Sequence, residues 1–559
     1  METSPLSTTV IFHFHTGTFG LLNTNIWGAT MGDDTPARAR LVELLWQLKQ
    51  NYDRAGDTGL GFIHFNTLLN DARYRAEIIE RACHSPHSHI RHLGEELARL
   101  DHADAANSAR PQAASTGSSR FAYRRLAWPL VIGTLSLCLL LFWWLALPYL
   151  QGDQVVTGVI DQDQTWSADR DWVLGDVVYV MPGVRLTIEP GARILGRADS
   201  ALVVTRGARL HAAGREDAPI VFTSSQPEGK RAAGDWGGLV LLGDAPVNEP
   251  DAQIEGIDAG DPLGAYGGQN PQGSCGVLEY ARIEFAGFEV YANNELNGLT
   301  LGGCGSGTIV RHVQVHRPLD DGVEVFGGNV DLRHIVITGA GDDGLDWDLG
   351  WRGRVQFLLI QQHEDTGDNA FEADNNGAHH QARPRSEPIM YNITLVSPRS
   401  STRHHRAMTL REGTGGHFHN LLISGFSGEA IDLRDGATVA NLDTGALDFQ
   451  GVLMHGIGPR GLSYFEAEQE DADDDNGFDE DTFFRGLSSV RFDEDPRFNQ
   501  DAINPYHPNA TPALRSPAAR GAVPVPQGEF WDEAANYLGA VRPGASATWL
   551  DRWTAFPAR

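Results

Sequence analysis

The sequence predicts a mainly β protein: a right-handed parallel β-helix, preceded by a transmembrane helix and a small α-helical N-terminal domain. Three observations carry this expectation. A short strand pattern recurs at roughly coil-length intervals, glycine is abundant at 63 residues, and one uncharged apolar run occupies positions 126–150.

The recurring pattern is a small residue followed by apolar–polar–apolar. It begins at Gly298, Gly322, Gly344, Ala370, Ala407 and Ala430. Successive starts lie 24, 22, 26, 37 and 23 residues apart. Each has a second β-rich run nearby: IVRHVQV, HIVIT, VQFLLI, YNITLV and FHNLLIS. Coils of this length, with alternate residues facing a narrow apolar core, fit a stacked solenoid. The inward column is Leu299, Val323, Leu345, Phe371, Met408 and Ile431, with Leu301, Val325, Trp347, Ala373, Leu410 and Leu433 beside it. The longest interval holds a loop thrown from one corner, NNGAHHQARPRSEP. A leucine-rich repeat lacks its Leu/Asn ladder here, and propeller blades are longer.

The run LAWPLVIGTLSLCLLLFWWLALPYL carries no charge and is long enough to cross a bilayer. Arg120, Arg124 and Arg125 precede it, which places the N-terminus in the cytoplasm by the positive-inside rule. Five segments follow: residues 1–105 a cytoplasmic, mostly helical head, 106–125 a linker, 126–150 the span, 151–460 the β-helix, and 461–559 an acidic loop and irregular tail packing on it. The expected location is the inner membrane, with the C-terminal part periplasmic or extracellular. In the head, Leu41, Leu44, Leu45 and Leu48 have helical spacing, as do Leu68, Leu69, Ile78 and Ile79.

Formal net charge is −29, from 73 acidic and 44 basic residues, which argues against a nucleic-acid partner. Cys275 and Cys304 lie a little over one coil apart, so they are expected to meet on adjacent coils as a disulfide.

Stacking aligns the outward residues Thr300, Glu324, Asp346, Glu372, Thr409 and Asp432. Asp348, Asp374, Arg411 and Arg434 follow two positions later, and Asp320–Asp321, Asp342–Asp343 and Asp368–Asn369 precede the strands. Carboxylates about 4.8 Å apart repel, so they take up a cation, a proton or an arginine. Three readings follow. Ca²⁺ would be held by Asp343, Asp346, Asp348, Glu372 and Asp374. Catalysis on a polysaccharide, by a glycoside hydrolase or lyase, would use Asp346, Asp348, Glu372 and Asp374. The third reading is structural, with corner Asp and Asn accepting backbone N–H bonds. Glu324, Trp351, Arg352, Arg411 and Arg434 are candidate ligand contacts, Trp351 as a sugar-stacking ring. His404–His405 and His417/His419 are weaker metal candidates. The acidic run 466–481 lacks the spacing of a calcium-binding helix–loop–helix motif.

Beyond the periodicity, residues 172–224 (WVLGDVVYVMPGVRLTIEPGARILGR through APIVFTS) resemble the opening of a bacterial family of exported β-helix repeat proteins. Many members are lipoproteins without assigned activity. The likeness continues through GDWGGLVLLGDAPVN, NELNGLTLGGCGSGTIVRHVQVH and DDGVEVFGGNVDLRHIVITGAGDDGLDWDLG to the ending WLDRWTAFP, covering roughly residues 155–557. It implies the fold and export, not a reaction. The head and retained span depart from the family's usual signal peptide.

Together these features predict a membrane-anchored binding or scaffold module at the cell envelope, contacting glycan or an envelope protein. The alternatives are a polysaccharide-active enzyme and a single-span sensor coupling the β-helix to the head.

Overall fold

A computed structural model describes residues 153–559 apart from 258–260, 292–293, 467–474 and 500–502, together with Leu44 and most of 72–99. The chain divides into two compact units, 1–126 and 127–559. In the first, helix Ala72–Cys83 buries Ile78, Ile79 and Ala82, apolar positions one turn apart. The membrane span and linker expected at 106–150 lie outside the described residues. Among the described residues no helix is long and apolar enough to cross a membrane.

The second unit is built on one 23-stranded sheet. From residue 276 onward two series of strands alternate. A long series runs Gly276–Glu284, Ile309–His316, Asp331–Thr338, Arg354–Gln361, Ile389–Val396, Gly416–Ser424 and Leu447–His455, each strand parallel to the next. A short series runs Leu239–Leu242, Leu299–Gly302, Val323–Phe326, Leu345–Asp348, Asn369–Ala373, Arg406–Leu410 and Ile431–Leu433, again parallel throughout. This stack is consistent with a right-handed parallel β-helix, the hand favoured when parallel strands are joined by crossovers. Leu299, Val323, Leu345, Phe371, Met408 and Ile431 pair across successive coils and are all buried in one apolar core.

Each long strand from Gly276–Glu284 to Leu447–His455 bends at one residue in the left-handed region. These residues are Tyr280, His312, His334, Phe357, Asn392, Asn420 and Gly451, with φ between 46° and 67°. The first four stack their rings, with centroids 4.3, 4.3 and 4.9 Å apart. Burial lowers the pKa of His312 to about 4, and Arg311 and Arg333 beside it push the same way.

The C-terminal tail returns along these bends. Asn420 exchanges two hydrogen bonds with the backbone of Val523, at 3.0 and 2.8 Å. Asn392 donates to the carbonyls of Ala535 and Tyr537, and Gln356 and Gln314 clamp Asp532 and Ala555. The tail therefore retraces the stack toward its first coils, burying Trp531 and Trp553 against it.

Candidate carboxylate site on the short-strand flank

Outward residues of the short series stand in register. Thr300 pairs with Glu324, Glu324 with Asp346, Asp346 with Glu372, Glu372 with Thr409, and Thr409 with Asp432. The row divides into two halves by charge. Toward its C-terminal end arginines neutralise it. Arg411 donates from Nε to both oxygens of Asp374, at 2.9 and 3.0 Å, and from a terminal nitrogen to Glu372. Arg434 bonds Asp432 at 2.8 Å, and Arg406 reaches Asp368, Glu429 and Asp432. Toward the N-terminal end, among the described residues, no salt bridge reaches Asp321, Glu324, Asp343, Asp346 or Asp348.

The corner residues are tied into the backbone. Asp321 Oδ1 accepts the N–H of Asp343 at 2.8 Å, and Asp343 Oδ1 accepts that of Asn369 at 2.6 Å. Asn369 in turn donates to Glu372 and accepts from Thr409. These contacts match the structural reading of corner Asp and Asn. The buried Asp321 and Glu324 and the half-buried Asp346 draw together: one oxygen from each lies within 4.8 Å of the others. Oδ1 of Asp346 is buried without a hydrogen bond, as is Oδ1 of the 1 % exposed Asn297, whose amide donates to Glu324.

Burial raises the pKa of Asp321, Glu324, Asp343 and Asp346 well above the ordinary carboxylate range, and the neighbouring acids push the same way. Asp374 is also raised by burial, against the pull of Arg411. Asp348, half-buried, is raised to about 7, chiefly by desolvation.

The lid over this flank comes from the described residues 243–257 and 261–275, within an insert between strands Leu239–Leu242 and Gly276–Glu284. Its Ala252, Ile254, Ile257 and Tyr266 pack on Val203, Val240 and Leu242. Asn248 fixes it across the coils by bonding Asn375 and Pro384. Cys275 at its end is disulfide-bonded to Cys304, with the Cα atoms 5.7 Å apart. The lid brings Glu255 against Glu324 and Asn297. Strand periodicity does not single out Glu255 or Asn297. For Glu255 the available signal is the gap itself, which is too long for one coil and rich in Gly, Pro and Asp.

Two expected ligand contacts change their role. Trp351 is wholly buried and donates from Nε1 to the carbonyl of Val330 at 3.0 Å, so it is a core ring and not a sugar platform. It turns inward because Gly350, at φ 92°, reverses the chain directly after the strand. Arg411 is held by two carboxylates, and burial notwithstanding, those partners raise its pKa further. Arg352 remains exposed at the corner, with its backbone N–H bonded to Gly328.

The histidine candidates separate. His405 is buried between Ser397 and the carbonyl of Thr366, at 2.8 and 2.9 Å, and His404 faces Glu466. On the neighbouring face His417 and His419 both contact Asp448, at 2.5 and 2.6 Å, and Glu387 lies 3.6 Å from His417. The bond to Asp448 raises the pKa of His417.

A family model described as a pectate-lyase-like β-helix domain matches residues 158–478. No curated protein and no solved structure gives a significant match.

Proposed function

The chain belongs to the family of pectate-lyase-like β-helix domains, and on that premise we propose that it is a polysaccharide-binding protein. In this reading a divalent cation, Ca²⁺, holds its carboxylate flank together. The observation that carries the reading is the group Asp321, Glu324 and Asp346. Oxygens about 2.4 Å from one ion lie no more than about 4.8 Å apart, and these three meet that limit. The buried Oδ1 atoms of Asp346 and Asn297 want a partner that the protein does not give them. The cation would supply the positive charge that Arg411 supplies one coil further on.

Binding is favoured over cleavage because Asp374 is buried and Arg411 is already occupied between Asp374 and Glu372. The Cys275–Cys304 bridge supports a location outside the reducing cytoplasm.

One observation favours a second, enzymatic reading. Asp348 is half-buried with a pKa raised to about 7, which suits a group that gives and takes a proton near neutrality.

The test is sedimentation of the full chain with insoluble polygalacturonate and with an uncharged polymer, in Ca²⁺ and in chelator. Ca²⁺-dependent co-sedimentation with polygalacturonate, lost in Asp346→Asn, supports the reading. Retention unaffected by chelator and by Asp346→Asn removes the cation from it. Release of unsaturated or reducing ends, abolished in Asp348→Asn, would favour the enzyme.

A further inference from the structure

We propose that the cleft between the returning tail and the first coils is a second binding site, one that takes a small carboxylated sugar. It lies away from the carboxylate flank and does not depend on the cation reading.

The cleft has a volume of about 860 Å³ and is floored by Arg282 and Glu284 of strand Gly276–Glu284. Arg193, Arg231 and Arg552 complete its charged wall. Four guanidinium groups face three carboxylates, Glu228, Glu284 and Asp551, around this cavity, in a chain whose net charge is −29. Arg193 and Arg552 have their own partners, Asp171 at 3.2 Å and Glu216 at 3.1 Å, neither of which lines the cavity. Arg282 and Arg231 share the single carboxylate of Glu284, at 3.1 and 4.0 Å. Two cations facing one anion leave a positive charge at the floor. The remaining acids of the wall, Glu228 and Asp551, are exposed at the rim.

The floor is also short of hydrogen bonds. Arg282 Nε is buried with no hydrogen-bond acceptor, although the Glu284 carboxylate stands beside it. A ligand carboxylate meeting the terminal nitrogens of Arg231 and Arg282 would answer that charge, since planar guanidinium groups bind carboxylates in a forked arrangement.

The rest of the wall favours a hydroxylated ring over a bare anion. The tail contributes Asn509, Thr511, Ser546 and Thr548, short amide and hydroxyl side chains that bond sugar hydroxyls, and Tyr506 presents a 45 % exposed ring. The volume lies in the range of small-molecule sites, about 300–1,000 Å³, and far exceeds an inorganic anion.

Calorimetry on the full chain with D-galacturonate, D-galactose and inorganic sulfate tests the proposal. Expected are galacturonate binding at least tenfold tighter than galactose or sulfate, and at least a tenfold loss in Arg231→Gln. Ser546→Trp, an exposed position that needs no core change, should block the cleft if Arg231→Gln fails to fold. Galacturonate should bind the parent equally well in chelator, which separates this site from the cation-dependent flank. Equal affinity for galactose, tighter binding of sulfate, no binding of galacturonate, or full binding by a folded Ser546→Trp chain would each overturn the assignment.

Discussion

Glu324 and Asp346 stand directly opposite each other on adjacent coils, with Asp321 completing a group that, among the described residues, no arginine or lysine neutralises. Their folded pKa values lie well above the ordinary values of 4.5 and 3.8 because burial and mutual repulsion both disfavour charge. The folded state thus holds these protons more tightly than the unfolded chain. The stability they contribute is present below about pH 4 and is lost as pH rises through the folded values. Asp348 adds a loss between 3.8 and about 7. In chelator the full chain should unfold at a lower temperature at pH 8 than at pH 5.5. Glu324→Gln/Asp346→Asn should flatten that dependence, and Ca²⁺ should restore the parent at pH 8 by a few degrees. An unchanged pH profile in the double variant would place the dependence elsewhere.

Arg411 is the point at which the row changes from unpaired to paired. Arg411→Gln leaves Asp374 and Glu372 without their cation beside an already acidic group. The expected cost is about 3 kcal/mol, the low end for breaking a buried pair, because Arg411 keeps some solvent contact. Denaturant titration should show most of that cost recovered in Arg411→Gln/Asp374→Asn, where one orphaned charge is removed. A double variant as unstable as the single one would mean that Arg411 acts by packing.

The core was legible in the sequence because a coil repeats one demand. Leu299, Val323, Leu345, Phe371, Met408 and Ile431 each fill the same inward position, so the alternation survives in single-sequence form. The bends carry a weaker signal. His312, His334, Phe357, Asn392 and Asn420 occupy one structural column but share only a tolerance of, or a stabilising stack in, the left-handed region. The lid was not legible. Glu255 reaches Glu324 from an irregular insert, and no local rule of periodicity reports a contact across 69 positions. Trp351 shows the same limit at shorter range, since a corner residue's direction depends on the turn at Gly350 and not on strand alternation.

Trp351 distinguishes a core ring from a binding ring. It is wholly buried and packs near Trp347, with ring centroids 5.8 Å apart. Trp351→Ala should cost about 3–5 kcal/mol, as large-to-small changes at buried aromatics do. At a temperature where the variant remains folded, polygalacturonate binding should equal that of the parent. Reduced binding with unchanged stability would return Trp351 to the ligand surface.

Asn420 joins the β-helix to its tail through side-chain hydrogen bonds. Its backbone sits at φ 59°, a region that asparagine tolerates better than most residues. Its side chain donates to the carbonyl of Val523 and accepts the N–H of the same residue, a closed pair of bonds. Asn420→Ala should lose both bonds, at about 1 kcal/mol each, and add about 1 kcal/mol of left-handed strain. Because Leu538 and Ala518 of the tail pack on Leu422 and Leu453 beside it, the loss should loosen the tail before the coils. Hydrogen exchange should therefore quicken at Val523 and Gly539, whose N–H groups bond Asn420, while Ile393, Leu421 and Val452 stay protected. Asn420→Gly, which relieves the strain but not the missing bonds, should recover only part of the stability. Uniform acceleration through the coils would show instead that the tail and β-helix open as one cooperative unit.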